Sequence, residues 1–141
     1  MTGVQTCALP ISDLKKTPLA KGEQFNLSGY STGSVIMAQA ALQLTNDGQT
    51  IDNLVLIGSP IDESSQLWKD LSSNKNIKNI IRKDIEGDDV RNMNNGGSTL
   101  KAFWNFMTKG EGHPHFKFAF GKNAKSNSEQ LGKELKDKGV K

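Results

Sequence analysis

The chain has 141 residues, a formal net charge of +3, four prolines and a single cysteine. No apolar run approaches the ~20 residues needed to cross a bilayer, and the lysines are spread among acidic residues instead of forming a basic stripe with interleaved aromatics. A transmembrane segment and a nucleic-acid partner are therefore not expected, and the length suits one domain or a piece of one.

The first eleven residues, Met-Thr-Gly-Val-Gln-Thr-Cys-Ala-Leu-Pro-Ile, lack the basic start and unbroken apolar stretch of a signal peptide. They resemble the conceptual translation of a sequencing-library adapter joined to a read, so natural sequence is expected to enter near Ser12. Cys7 then carries no functional weight, and the body of the chain has no disulfide or thiol chemistry. Nothing in the residues specifies a compartment: a cytoplasmic protein and one exported as part of a larger protein fit equally.

Residues 12–22 are polar and lysine-rich, the end of a surface helix and a connection. A short strand is predicted over 24–28, then a helix over 34–44 that is apolar on nearly all sides and so buried against a sheet. Asn46, Asp47 and Gly48 tolerate left-handed backbone angles and end it. The continuous apolar run at 53–58 fits a parallel strand covered on both faces, and Ser59-Pro60 breaks it. Asp62 and Glu63 are expected in the first turn of a helix whose inward residues are Leu67, Trp68 and Leu71.

Ile77, Ile80, Ile81 and Ile85 mark a third strand, with Gly87 at its exit. Alternation of strands with helices predicts βαβ units and a mostly parallel sheet, an α/β protein. Ser98 can cap a helix carrying Leu100, Phe103, Trp104, Phe106 and Met107, either core-facing or the wall of an acyl-binding pocket. After His113-Pro114-His115, residues 116–120 alternate like a strand. Ser126 or Ser128 is expected to cap a last helix over 129–138, with Leu131 and Leu135 inward and Gly139 stopping it.

The chemistry concentrates at Gly29-Tyr30-Ser31-Thr32-Gly33, a Gly-x-Ser-x-Gly pattern between a strand and a helix. There the chain turns sharply and leaves a serine hydroxyl on top of the sheet at a helix N-terminus, with glycines expected at 29 and 33 because side chains would collide with the neighbouring strand and helix. Ser31 is the candidate nucleophile, and a serine hydroxyl needs a base within hydrogen-bond reach. The two histidines follow the acid candidates, giving the order Ser, Asp, His. Asp88, in the glycine-containing loop past the third strand, is preferred to Asp84 and Asp89 as the acid that orients the base.

His115 is preferred as base because the segment after it would anchor it; His113, two residues away, is the alternative base. Two histidines at that spacing could also ligate a metal, but with no cysteine in the body and no His-Glu-x-x-His pattern neither a metal nor another cofactor is expected. Thr32, after the nucleophile, would supply one oxyanion-hole N–H; the second comes from a loop after an earlier strand, and none precedes residue 24.

This succession of strand, Gly-Tyr-Ser-Thr-Gly, helix, Leu-Val-Leu-Ile-Gly-Ser-Pro, Gly-Asp-Asp-Val and His-Pro-His-Phe resembles the C-terminal half of an α/β-hydrolase of the lipase and esterase kind, over about residues 20–141. The wording of residues 29–34 and 52–61 is similar to hydrolase-like modules at the C-termini of bacterial RHS-repeat proteins. The resemblance implies a partial α/β-hydrolase fold within a three-layer sandwich, with Ser31, Asp88 and His115 or His113 as triad and Thr32 as oxyanion donor. It implies a small-molecule or lipid ester substrate, with the remainder of the parent chain upstream as partner. Residues 12–141 would be the C-terminal part of one such domain, prone to aggregate or only weakly active when alone. The family usually places a strand directly before the histidine, whereas residues 108–112 are short and glycine-rich. A noncatalytic binding or structural module of the same fold is the second reading.

Overall fold

The computed structural model describes residues 19–86, 114–118 and 121–141. These hold a three-stranded parallel sheet in the order β1 (Asn26–Tyr30), β2 (Ile51–Ile57), β3 (Ile77–Lys83). Helix α1 (Thr32–Asn46) connects β1 to β2, and α2 (Gln66–Ser73) connects β2 to β3. A 3-10 turn (Pro114–Phe116) and helix α3 (Ala124–Asp137) follow. The protein is therefore of the α/β class, as the alternating pattern predicts. No helix among the described residues is long and apolar enough to cross a membrane.

Strand alternation divides the sheet into two faces. Leu27 pairs with Leu54 and Leu54 with Ile80, and this row meets Ala38, Ala41 and Leu44 of α1 and Leu71 of α2 in one apolar core. Small residues on α1 let it approach the sheet closely; burying each large core side chain contributes about 2 kcal/mol. The helix is apolar on most sides but not buried on all of them, since its outer side leaves Ile36 57% exposed. Gly48, at φ +86, closes it as expected.

The opposite face carries a row of amides. Asn53 Nδ2 donates to Asn26 Oδ1 (2.7 Å), and Asn79 Nδ2 donates to Asn53 Oδ1 (3.1 Å), across positions that the register pairs. Asn53 lies inside β2, 1% exposed, because these partners satisfy its amide. Helix α3 is tied to this face by the Lys83–Glu134 ion pair, and the residues after it by Gln24, whose Nε2 donates to the Gly139 carbonyl (2.9 Å).

Several boundaries differ from expectation for local reasons. Strand β1 begins two residues later, and Ile85, buried, lies beyond the end of β3. Asp62 and Glu63 precede α2: Asp62 instead accepts from the Ser64 amide (2.6 Å), and Ser65 caps the helix by accepting from the Trp68 amide. Helix α3 starts at Ala124, so Ser126 and Ser128 lie inside it. Their hydroxyls donate to the carbonyls of Asn123 and Phe118 and so do not cap. Residues 114–116 form a tight turn where the alternation begins to read as a strand; Pro114, with its fixed φ, suits the start of such a turn. The predicted helix behind Ser98 lies outside the described residues.

Asp52 of β2 ties β3 to the residue just ahead of β1. Its Oδ2 accepts from the Phe25 amide (2.8 Å) and its Oδ1 from Lys78 Nζ (2.6 Å). The Lys78 hydrogen bond, then the Phe25 N–H, hold its carboxyl below the usual 3.8. A carboxylate whose folded pKa is depressed adds stability above its unfolded pKa and loses it as pH falls through the folded value. Asp52→Asn is expected to cost about 1 kcal/mol at neutral pH and to flatten the loss of stability below pH ~4. Urea midpoints measured across that range check this, and parallel curves for both proteins would refute it.

Candidate active site

Strand β1 delivers the chain to Ser31 at the C-terminal edge of the sheet, and α1 starts at the next residue. Ser31 is the non-glycine residue with positive φ among those described, at φ 55, ψ −130. A Cβ makes that conformation costly, by about 1–3 kcal/mol, and it persists only where the surroundings over-determine it. Here they do. The Ser31 N–H donates to the Ile57 carbonyl of β2 (2.9 Å), and its own carbonyl accepts from the Ser34 amide (3.0 Å) and the Ser34 hydroxyl (2.5 Å).

The two motif glycines differ. A Cβ at Gly29 would lie 2.5 Å from Ser34 Cα and 2.6 Å from the Gly33 carbonyl oxygen, so glycine there lets helix cross strand. A Cβ at Gly33 would meet nothing within 4 Å. The expected collision at Gly33 is therefore incorrect: the helix turns that residue away from the sheet. Thr32 occupies the first helical position, where a backbone N–H has no intrahelical acceptor and points along the positive end of the helix.

His115 reaches the same edge. It is 0% exposed, its ring stands 5.3 Å from that of Tyr30, the residue before Ser31, and it meets the Phe116 ring edge-on at 5.5 Å. Gly58, at φ +53 just past β2, makes room for it: a Cβ there would lie 3.2 Å from His115 Cε1 and 2.9 Å from Ile85 Cδ1. Sequence reasoning missed Gly58; its only sign was a glycine directly after an apolar strand. Asp84 accepts from Arg82 Nε (2.8 Å). Asp88, Asp89 and His113 lie outside the described residues; of the predicted site residues, the structure places Ser31 and Thr32 at the end of β1 and the His115 ring against Tyr30, the residue before Ser31. Among the described residues no group of three or more His, Cys, Asp or Glu could hold a metal ion.

No family model matches the chain, and no solved structure matches it. A stretch of 36 residues is 42% identical to proteins named Polyketide synthase 1 from Metarhizium brunneum, Metarhizium anisopliae and Metarhizium robertsii. That stretch is 26% of this chain, and the match spans 2% of the length of these relatives.

Proposed function

We propose that the protein is a serine hydrolase of ester, thioester or amide bonds, built on a partial α/β-hydrolase fold in a three-layer sandwich. The observation that carries this reading is the backbone of Ser31: a costly conformation at a strand-to-helix turn, in a Gly-x-Ser-x-Gly sequence. Ser31 Oγ attacks the substrate carbonyl carbon while His115 takes its proton; the Thr32 N–H donates to the oxygen that becomes negative. The tetrahedral adduct collapses, His115 returns the proton to the leaving group, and water releases the acyl group by the same steps in reverse. Asp88 would orient the imidazole. A small-molecule or lipid ester suits this chemistry, and the setting as a hydrolase-like module of an RHS-repeat protein rests on residues 29–34 and 52–61.

Complete burial of His115 favours a second reading, a noncatalytic module of the same fold in which the histidine fills space over Gly58. A fluorophosphonate probe separates the two. The hydrolase reading expects covalent labelling that Ser31→Ala abolishes and His115→Ala slows about 10²- to 10⁴-fold, with His113→Ala weakening it less. Folded protein that takes no label would sink it, and labelling lost in His113→Ala but kept in His115→Ala would reverse the choice of base.

A further inference from the structure

The Ser31 turn is held from the neighbouring strand by groups the triad chemistry does not use. Ser34, fully buried on α1, has its hydroxyl 2.5 Å from the Ser31 carbonyl oxygen and 2.8 Å from the hydroxyl of Ser59, itself buried just past β2. The carbonyl can only accept, so the single hydroxyl proton of Ser34 goes to it. Ser59 must then donate to Ser34, and the Ile61 N–H donates to Ser59 Oγ at 3.3 Å. The result is a one-way chain from the Ile61 amide through two hydroxyls to the carbonyl of the nucleophile residue.

The far end of the chain is anchored. Arg82 of β3 donates from Nη1 to the Ile61 carbonyl (2.7 Å) and from Nη2 to the Ser59 carbonyl (3.2 Å). Asp84 holds its Nε, and the guanidinium lies 5.6 Å from the centre of the Trp68 ring. Planar donors in a fixed fork clamp residues 59–61 as a unit. Hydrogen bonds in such a chain polarise one another.

We propose that Ser34 and Ser59 are positioning residues which, clamped through Arg82, hold the Ser31 carbonyl and so keep Ser31 in its reactive backbone conformation. This deepens, and rests on, the reading of Ser31 as nucleophile. Loss of either hydroxyl lets the turn relax and moves Oγ without touching the substrate. Misplaced reacting groups cost rate while leaving ground-state binding alone.

The test combines fluorophosphonate kinetics with the ¹³C carbonyl resonance of Ser31 in the full chain. Ser34→Ala is expected to lower the maximal labelling rate about tenfold with the concentration dependence unchanged, and to shift the carbonyl resonance. Ser59→Ala, which does not touch Ser31, is expected to shift the same resonance in the same direction by a smaller amount and to slow labelling in proportion. A simple packing defect would not reach that carbonyl through a second hydroxyl. If the resonance stays put in folded Ser59→Ala, or the labelling rate stays at the wild-type value in folded Ser34→Ala, the proposal is overturned. If wild-type protein takes no label while the resonance shifts as expected in both variants, the hydrolase reading has failed and the hydroxyl chain stands as a device that holds the turn.

Discussion

Ser31→Gly is expected to abolish fluorophosphonate labelling and, at the same time, to raise the thermal midpoint of the protein. The residue sits at φ 55, ψ −130, a region glycine enters freely and a side chain enters at a cost of about 1–3 kcal/mol. Against that gain stands the extra freedom of glycine in the unfolded chain, about 0.5–1 kcal/mol. The net is a gain of about 1 kcal/mol, or roughly 4 °C for a chain of this size. Ser31→Ala keeps the Cβ and so the strain; it should lose labelling without the gain in stability. The pair separates the two roles of the residue, because the hydroxyl supplies the chemistry and the Cβ supplies the strain. Midpoints that match in the two variants would show that the backbone is not strained, and labelling that survives in both would place the nucleophile elsewhere.

Gly29→Ala is expected to destabilise the protein by about 3 kcal/mol or more, while Gly33→Ala leaves it unchanged or up to about 1 kcal/mol more stable. All three atoms that a Cβ at Gly29 would meet, Ser34 Cα at 2.5 Å, Gly33 O at 2.6 Å and Ser34 N at 2.7 Å, belong to the backbone. No side chain can swing away, so the crossing of β1 and α1 must open, and with it the carbonyl contacts that hold Ser31. At Gly33 the space is empty and the position is helical, where alanine is the better residue. Urea denaturation of the two variants measures the contrast. Equal stabilities would mean that the strand and helix do not approach as closely as the structure has them.

Much of the framework is legible because it is local. The apolar run around Leu54, Val55 and Leu56 marks a doubly covered strand, and those residues are almost wholly buried. The small apolar residues of α1 mark a helix against a sheet, and Gly48 and Gly139 stop helices with positive φ. The Gly-x-Ser-x-Gly turn reads correctly at Gly29 and incorrectly at Gly33. Nothing in the pattern says which glycine faces the strand; the phase of α1 decides that. Ser65, Ser126 and Ser128 show the same limit, since a serine near a helix start caps or does not according to which amides and carbonyls the fold brings to it.

By itself, then, the sequence determined the alternation of strands and helices, the parallel sheet and the site of the strained turn, each of which depends on neighbours within a few positions. Only the tertiary structure decided which polar residues go inside. Asn53, Ser34, Ser59 and His115 are buried because partners more than twenty residues away meet them: Asn26 and Asn79, the Ser34–Ser59 pair itself, and Tyr30 with Gly58. A polar group enters a core only when its hydrogen bonds or packing are met there. Strand register supplies those partners for Asn53, and the packing of α1, the residues after β2 and the 114–116 turn against the sheet supplies them for the others, which no local pattern encodes.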